Sequence, residues 1–274
     1  MSGKLYVVGT PIGNLGDFSP RAVSTLEKVD FLAVEDTRVT VKLLNYFDIK
    51  KEMLSYYEHN KAVKGNLILE RLQKGETCAL VSDAGMPAIS DPGEELVRLC
   101  YENDIEVESV PGPSAVTTAL AMSGMPSGRF CFEGFLTTQK NGRRLHLEEL
   151  KNEKRTMIFY EAPHKLLATL GDMLKVFGNR DIAVVRELTK LHETVFHTTL
   201  EGALEYYTEN TPRGEFVLII SGAKEEKEQY TLEQAVEIAK KLVSEGQSTS
   251  FAAKEAANVT SIKKGEIYKL LLQE

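Results

Sequence analysis

The sequence predicts an α/β protein, because short apolar runs typical of buried parallel strands alternate with helical segments along most of its 274 residues. The central example is the stretch Cys78–Gly93, where the apolar run Ala79–Val81 leads into the small, polar segment Ser82–Gly85. Asp91 follows as a predicted N-cap, with Pro92 at the first helical position. A strand, a loop of small residues and a helix start predict a ligand site at the carboxyl end of a sheet, with an ordinary strand-to-helix connection as the alternative.

Composition limits the class of protein before any motif is considered. Hydrophobic residues make up 42% of the chain and charged residues 27%, which is typical of a folded globular protein. No apolar run approaches the ~20 residues of a membrane span, and no signal-peptide core is visible, so we expect a protein without membrane attachment. The cysteines at 78, 100 and 131 lack C-x-x-C spacing, which favours reduced thiols and a cytoplasmic location. The net charge of −7 argues against broad nonspecific nucleic-acid binding but leaves room for a local basic patch.

The first predicted strand, Leu5–Val8, ends in the glycine-containing loop Gly9–Asp17. Its glycines do not follow G-x-G-x-x-G, and Pro11 stands where the second glycine of that fingerprint would be. The phosphate-binding pattern G-x-x-x-x-G-K-[ST] is also absent from the sequence. A nicotinamide or flavin dinucleotide site is therefore disfavoured.

Two further strands of the first half also end in polar clusters. Helix 20–28 and strand Phe31–Val34 lead to Glu35–Arg38, which is either a site or a helix start capped by Thr37. Strand Met53–Tyr57 leads to Glu58–Asn60, and helix 61–74 follows. The repeated position of these clusters at strand ends is what favours a site over isolated helix entries.

In the last predicted strand of the first half, Asp104–Val110, polar and apolar residues alternate, which is typical of a half-exposed strand. It turns at Pro111–Ala115 into a helix of small residues, whose free amides suit an anion such as a carboxylate. The turn-rich segment Ser123–Gly128 predicts a domain boundary.

The second half repeats the α/β pattern and is followed by a helical extension. Strands are predicted at Arg129–Glu133, Thr156–Tyr160, Ile182–Arg186, Thr194–His197 and Glu215–Ile220, and helices near 144–151, 163–177 and 200–208. After a charged linker, Lys224–Gln229, three short helices are predicted at 231–245, 250–257 and 263–273. We therefore expect two α/β domains, 1–122 and 123–224, and an extension over 230–274. Lys and Glu are balanced in this extension, six each from Thr231 to Glu274, so it shows no DNA-reading face.

Two charged motifs of the second half call for interpretation. The segment 139–155 contains six Lys or Arg against three Glu, which indicates either a phosphate-contacting patch or a solvated helix face. We favour the patch, because its charges begin in a predicted loop. His192 and His197 resemble an H-E-x-x-H zinc motif, but they are five apart and would diverge by ~140° on a helix. The run is also strand-like, so we predict no metal site.

The ordered motifs together carry a family resemblance over nearly the whole chain. They are Val8–Asp17, Glu35–Arg38, Glu58–Asn60, Ser82–Gly93, Val110–Ala115, Tyr160–His164 and Arg186–Lys190. In this series the chain resembles the bacterial 16S rRNA ribose 2′-O-methyltransferases of the tetrapyrrole methylase superfamily. It departs from their pattern at Thr137–Lys140 and Leu191–Glu193, where the resemblance would place RNA contacts.

The resemblance implies two α/β domains of tetrapyrrole-methylase type with S-adenosylmethionine in the cleft between them, usually within a homodimer. The substrate it implies is 16S rRNA within the small ribosomal subunit, methylated on the ribose of cytidine 1402. The implied cofactor-binding residues are Pro11, Ile12, Ser82, Asp83, Ala84, Met86, Ser114, Ala115, Tyr160 and Glu161. The implied RNA-binding residues are Arg38, His59, Asn60, Lys140, Arg143 and Arg144.

The ribose hydroxyl must lose its proton as the new bond forms, which requires a general base. Candidates near the expected cleft are Asp36, Glu187 and Lys190, and the sequence does not choose among them. Lys190 would have to be neutral, which requires a pKa lowered by burial or by the neighbouring Arg186. Two other functions compete with RNA methylation: C-methylation of a tetrapyrrole precursor, and noncatalytic binding to the ribosome.

Overall fold

A computed structural model describes residues 3–224 and 230–272. The chain divides into two compact units, Met1–Ala223 and Lys224–Glu274. Apart from Lys224, the predicted charged linker Lys224–Gln229 lies outside the described residues. Within the described ranges, no helix is both long enough and apolar enough to span a membrane.

The first sheet of the larger unit is parallel throughout, with strand order β3-β2-β4-β1-β5. Its strands are β1 Lys4–Val8, β2 Phe31–Val34, β3 Glu52–Ser55, β4 Cys78–Val81 and β5 Glu106–Val110. The helices that follow them are α1 Pro20–Lys28, α2 Thr37–Tyr46, α3 Lys61–Gln73, α4 Gly93–Glu102 and α5 Ala115–Met122. Because the strands are parallel, all five carboxyl ends lie at one edge of the sheet.

The central strands of this sheet explain the continuous apolar runs in the sequence. All four residues of β2 and all four of β4 are buried. One face packs in a cluster that includes Leu26 and Val34, and the opposite face in a cluster that includes Phe31 and Leu72. A strand covered on both faces has no polar alternation, as expected for a parallel sheet between two helical layers.

The second sheet is mixed, with strand order β6-β7-β10-β8-β9. Its strands are β6 Phe130–Phe135, β7 Thr156–Glu161, β8 Asp181–Arg186, β9 Thr194–Thr199 and β10 Phe216–Ile220. Its helices are α6 Lys140–Glu149, α7 Leu166–Phe177 and α8 Leu200–Glu209. β6 and β7 are parallel, while β10 runs antiparallel to both β7 and β8. The carboxyl ends of β6, β7 and β8 therefore share an edge with the amino end of β10.

Helix α5 joins the two sheets within the larger unit. Its residues Val116, Ala119 and Leu120 are buried in one cluster with Ile158 of β7 and Ile219 of β10. The other face of the second sheet packs in a separate cluster with residues of α7 and α8. Helix α5, which follows the last strand of the first sheet, thus covers one face of the second sheet. This packing fits the predicted α/β architecture.

Several predicted element boundaries need correction. The N-cap of α2 is Asp36 rather than Thr37, and α7 begins at Leu166 rather than at 163. Helix α4 begins at Gly93 rather than Pro92, and the Asp91 carboxylate accepts hydrogen bonds from the amides of Ala88 and Gly93 at 2.9 and 2.8 Å. Helix α6 begins at Lys140 rather than near 144, so the basic residues 140–144 lie on a helix and not in a loop. Strand β6 extends to Phe135 through a bulge.

The smaller unit contains three helices where the sequence predicts them: α9 Leu232–Ser244, α10 Thr249–Thr260 and α11 Lys264–Leu271. A capping box between Thr231 and Gln234 starts α9, satisfying amides that the first turn leaves open. The helices bury small residues such as Ala239 and Ala256 around Ile267, so their backbones approach closely. This arrangement confirms the predicted helical extension.

Candidate functional site

The loops after β1, β4 and β5 are joined by backbone hydrogen bonds at the carboxyl edge of the first sheet. The Gly9 amide donates to the Val110 carbonyl at 3.1 Å. Thr10 and Gly85 exchange two backbone hydrogen bonds, at 2.9 and 3.2 Å. The Thr10 hydroxyl also donates to the Ser82 carbonyl at 3.2 Å. The three loops therefore form one rigid backbone platform, which includes the predicted Pro11, Ile12 and Ser82 region.

Glycine is required where two of these loops cross. A Cβ on Gly9 would lie 2.7 Å from the Cα of Gly112, and a Cβ on Gly112 would lie 2.7 Å from the carbonyl oxygen of Gly9. The Met86 sulfur accepts a hydrogen bond from the Gly112 amide at 3.3 Å, so Met86 fastens the crossing. Backbone atoms cannot retreat as a flexible side chain can, so this crossing tolerates only residues without a Cβ.

The strand order predicts a crevice at the carboxyl edge between β2 and β4. The chain leaves β2 toward β3 on one side and leaves β4 toward β5 on the other, which makes their boundary a topological switch point. Two polar clusters meet there. The Asp36 amide donates to Asp83 Oδ1 at 3.1 Å, and the Asp83 amide donates to Glu35 Oε2 at 3.4 Å. The structure thus brings together Glu35–Asp36 and Ser82–Asp83, which are 47 residues apart in sequence.

The carboxylates in this crevice differ in their electrostatic environments. Burial raises the pKa of Glu35, and the charges of Asp83, Asp91 and Asp36 add to that rise. Burial also raises the pKa of Asp83, with a further contribution from the charge of Asp36. The pKa of Asp36 is lowered to about 2, first by its hydrogen bonds to the Arg38 side chain and then by the Arg38 amide. The crevice therefore has negative potential, which suits a cationic ligand group.

The start of α5 faces the same edge. Ser114 is its N-cap and, among the described residues, makes no side-chain capping hydrogen bond. First-turn amides of such a helix are available to an external anion. The Tyr160 hydroxyl, from β7 of the second sheet, meets the backbone of Val116, and burial raises the pKa of Tyr160. Tyr160 thus reaches the start of α5, beside the predicted Ser114–Ala115 site.

Lys190 brings the second sheet to the loop after β1. A Cβ on Gly13, whose φ is +144°, would lie 2.5 Å from Lys190 Cγ and 2.9 Å from Thr189 Oγ1. Lys190 Nζ donates to Glu187 Oε1 and Glu215 Oε2, each at 3.0 Å. Glu187 and Thr189 have φ of +52° and +66°, so this turn holds strained backbone, a feature that clusters at functional sites.

The protonation of this ion cluster bears on the candidate bases. Burial lowers the pKa of Lys190, but hydrogen bonds to Glu215 and Glu187 outweigh it and leave the pKa raised. Burial raises the pKa of Glu187, but hydrogen bonds from Lys190 and the Glu215 amide outweigh it and leave the pKa lowered. Lys190 is therefore held as an ammonium, and the lowered pKa that a lysine base requires is not found here.

The candidate RNA-binding residues that follow strands of the first sheet differ in the exposure of their side chains. The Arg38 side chain is 87% exposed and pairs with Asp36 at 2.6 Å. His59 is exposed beside the ring of Tyr57. Asn60, in contrast, accepts from the Tyr57 amide and donates to the Ser55 carbonyl, so its side chain shapes the loop after β3. Arg38 and His59 have exposed side chains that a ligand could contact, whereas the Asn60 side chain is already hydrogen-bonded to the backbone of Tyr57 and Ser55.

The predicted RNA contact through Arg143 is corrected by the structure. Its guanidinium lies in the interior and donates to Asp172 Oδ2 through Nε and Nη2, at 2.9 and 2.6 Å. Arg144 donates to Asp172 Oδ1 at 3.0 Å, with its side chain 40% exposed. Lys140, at the start of α6, is exposed. Of the three residues in this patch that were predicted to bind RNA, Lys140 and the outer part of Arg144 are exposed and Arg143 is not.

Glu161 also differs from its predicted role. Its side chain is buried, accepting hydrogen bonds from the Ala162 amide at 2.8 Å and from the Thr169 hydroxyl at 2.5 Å. Lys165 adds an ion pair at 3.4 Å. These contacts fasten the end of β7 to α7, so the carboxylate holds the loop after β7 in place rather than lying free for a ligand.

Sequence reasoning missed Glu215 as a member of the Lys190 cluster. The two residues are 25 apart in sequence and meet only because β10 pairs with β8. No local motif marks Glu215, since its sole signal is its position just before a strand. The Gly9–Gly112 crossing was visible as two glycines, but their contact depends on the adjacency of β1 and β5.

Comparison with known proteins identifies the family. A family profile described as Tetrapyrrole (Corrin/Porphyrin) Methylases matches residues 4–204. The chain belongs to this family. Among relatives of this tetrapyrrole methylase is "Ribosomal RNA small subunit methyltransferase I" of Synechocystis sp., 48% identical over 99% of this chain and 98% of the relative. The protein of the same name from Escherichia coli O157:H7 is 42% identical over 99% and 96% of the two chains.

A third relative of that name is shorter than this tetrapyrrole methylase. The Thermotoga maritima protein is 49% identical over 220 residues, covering 80% of this chain and 99% of the relative. Solved structures share the fold at low identity. Diphthine synthase matches with a TM-score of 0.61 at 13% identity, over 80% of this chain and 90% of that one. Uroporphyrin-III C-methyltransferase from Thermus thermophilus, solved with S-adenosylhomocysteine, matches with a TM-score of 0.56 at 18% identity, over 80% and 97%.

Proposed function

We propose that this protein transfers a methyl group from S-adenosylmethionine to a ribose 2′-hydroxyl in the RNA of the small ribosomal subunit. The observation that carries the proposal is its identity, between 41% and 49%, to eight relatives named as small-subunit rRNA methyltransferases. Seven of these alignments cover at least 97% of this chain. The solved structures, tetrapyrrole enzymes and diphthine synthase alike, share only the fold at 13–19% identity, which supports no choice of substrate.

The residues at the first-sheet edge fit S-adenosylmethionine. The uncapped start of α5, at Ser114 and Ala115, offers amides to the methionine carboxylate. The negative crevice at Asp83 suits a cationic group of the cofactor. The Gly9–Gly112 crossing brings the backbones of two loops together beside Met86, which keeps the loops around the proposed site in contact. Pro11, Ile12, Ala84 and Met86 supply the remaining surface of this proposed site.

The bound cofactor would supply a methyl carbon open to in-line displacement, with the electrons of the broken carbon–sulfur bond remaining on sulfur. The contribution of the chain is to align the ribose oxygen and to exclude water. The Lys190 ammonium, held by Glu187 and Glu215, is suited to donating a hydrogen bond to that oxygen or to an adjacent phosphate. Asp36, paired with Arg38, is suited to positioning that arginine toward RNA.

The ribose hydroxyl must transfer its proton to a base. The pKa directions rank the three candidates for this role. Lys190 already carries its proton, and Asp36 with a pKa of about 2 is a weak base. Glu187 is ionised and lies in the Lys190 cluster, so it is the base we favour among the three predicted candidates. Glu187→Gln, Lys190→Met and Asp36→Asn should be compared in single-turnover assays at saturating RNA. An unchanged rate in Glu187→Gln would refute this assignment, and unchanged rates in all three would exclude the whole set of predicted bases.

We further propose that the substrate is the assembled small subunit, that the modified nucleotide is cytidine 1402, and that the protein acts as a cytoplasmic homodimer. An acidic chain, with a net charge of −7 and a local basic patch, is suited to a folded RNA surface rather than to a free strand. The test is tritium transfer from labelled cofactor to intact small subunits, protein-free 16S rRNA and a blank without RNA. Label on one ribose of the subunit supports the proposal. Absence of label on any RNA, with cofactor binding intact, refutes it.

A further inference from the structure

A bulge in β6 changes the direction of one aromatic side chain. The register pairs Phe132 with Ile158 and Gly134 with Phe159, so Glu133 is an extra residue on this strand. Gly134 has a φ of +63°, a backbone conformation that favours glycine. Phe135 therefore pairs with Tyr160, whereas a strand without the bulge would pair it with Glu161. Side chains alternate along a strand, so without the bulge Phe132 and Phe135 would point to opposite faces.

The bulge therefore places Phe135 on the face that carries Ile158 and Tyr160, away from the α7–α8 core. Its neighbour Leu136 remains buried in that core, as does Met157 of β7. Phe132, on the same face as Phe135, packs in the cluster with α5. A regular strand would bury the Phe135 ring, whereas this strand presents it at the edge where the loops of the two sheets meet. Bulges next to active sites commonly re-aim a side chain in this way.

The Phe135 side chain is exposed although burial would stabilise the fold. It is 56% exposed, and its ring centroid lies 5.3 Å from that of Tyr160, which touches the start of α5. Lys165 Nζ lies 5.6 Å from the Phe135 ring centroid. A Cβ on Gly134 would lie 3.3 Å from the Ser90 hydroxyl, so the loop after β4 reaches the same point. An exposed aromatic ring beside a lysine, at the mouth of a site, is the arrangement that stacks nucleobases.

We propose that Phe135 is a stacking platform for a nucleobase of the RNA substrate, and thereby a residue that determines substrate recognition. The proposal rests on the proposed rRNA methyltransferase function. The cofactor platform is built mainly from the first sheet, at Gly9, Gly112 and Ser114, with Tyr160 reaching it from the second sheet, whereas Phe135 packs on the ring of Tyr160 and has a cationic neighbour. This placement favours a base of a polyanion over the adenine of the cofactor.

The first test compares the kinetics of Phe135→Ala, Phe135→Leu and Phe135→Tyr on small subunits that lack the methyl group. We expect Phe135→Ala to raise the KM for subunits by about 5- to 150-fold, the range that loss of one base–aromatic stack predicts. Phe135→Tyr keeps the ring and should stay near wild type, whereas Phe135→Leu keeps volume without the ring and should resemble alanine. Calorimetric binding of S-adenosylhomocysteine should be unchanged in all three.

Phe130 provides the matched control. It is the first residue of the same strand, is 38% exposed, and lies at the opposite end of β6. Phe130→Ala should leave the KM for subunits unchanged. A KM that rises equally in Phe130→Ala, or a Phe135→Leu that behaves like wild type, would overturn the stacking role.

The second test uses the absence of tryptophan from the sequence. Phe135→Trp introduces the only indole, whose fluorescence should be quenched when unmethylated subunits bind, while Phe130→Trp should not respond. Quenching by S-adenosylhomocysteine alone would assign the ring to the cofactor and overturn the proposal. A change of oligomeric state in Phe135→Ala by light scattering would assign the ring to a subunit interface and overturn it equally. If the wild-type protein transfers no methyl group to RNA while binding cofactor, the proposed function fails by itself, independently of Phe135.

Discussion

Replacing Arg143 by alanine separates a structural role from the RNA contact that the sequence suggested. The side chains of Arg143 and Asp172 are only 8% and 5% exposed, and two guanidinium nitrogens donate to one carboxylate oxygen. Removing one partner of such a buried pair costs ~3–5 kcal/mol of unfolding free energy, because the other charge remains without compensation. Arg144 still donates to the second oxygen of Asp172 at 3.0 Å, so we expect the lower end of this range, ~3 kcal/mol.

Thermal unfolding followed by circular dichroism measures the loss. For a unit of this size, ~3 kcal/mol corresponds to a decrease in Tm of ~6–12 °C. Arg144→Ala is the matched control, and as a partly exposed side chain it should cost less than ~1 kcal/mol. The double variant Arg143→Met with Asp172→Leu removes both charges and should recover most of the lost Tm, because a packed apolar pair needs no desolvation compensation.

The pH dependence supplies a second readout of the same pair. Burial raises the pKa of Asp172, but hydrogen bonds from Arg143 and Arg144 outweigh it and leave the pKa lowered. A carboxyl with a lower pKa in the folded state stabilises the protein above its ordinary value of ~4. The Tm difference between wild type and Arg143→Ala should therefore be full at neutral pH and shrink as the pH falls below ~4.

The refuting result for this prediction is specific. A Tm within ~2 °C of wild type in Arg143→Ala, combined with a KM for small subunits raised at least ~10-fold, would mean that Arg143 leaves Asp172 to bind RNA.

Three further predictions concern the site and the chain ends. Gly112→Ala should abolish S-adenosylhomocysteine binding measured by calorimetry, because its Cβ would lie 2.7 Å from the Gly9 carbonyl oxygen. Gly171→Ala is the control, because a Cβ there meets nothing within 4 Å among the described residues, and it should retain binding. Equal losses of binding in the two variants would contradict the crossing argument. Lys190→Met should lower the single-turnover rate about 100-fold while Lys190→Arg keeps most of it. Because the pKa of Lys190 is raised, the wild-type rate should show no Lys190 inflection below pH ~10; a neutral-range inflection lost in Lys190→Arg would restore lysine as base. A chain ending at Ala223 should keep its cofactor affinity, since the larger unit ends there and the Thermotoga maritima relative aligns over only 220 residues; lost affinity would contradict this.

The sequence by itself determined the elements whose causes are local. The apolar runs of β2 and β4 predicted buried parallel strands, because a strand covered on both faces has no polar positions. The loops after them were predicted as site material from their small and acidic residues. Helix boundaries were predicted to within a few residues wherever Ser, Thr or Pro marks a start, as at Pro20 and Thr231.

Only the tertiary structure decided which of these residues meet. Arg143 was identified as a basic residue, but its burial depends on Asp172, 29 residues away on a different helix. Glu215 joins Lys190 through strand pairing, and Phe135 lies on the sheet face that carries Ile158 and Tyr160 because one extra residue in β6 reverses its side. Local propensity is set by nearest neighbours in the chain, whereas the pairing of charges and the side chosen by an aromatic ring are set by contacts between segments distant in sequence. Those contacts form only when the two sheets and the helices that cover them pack together.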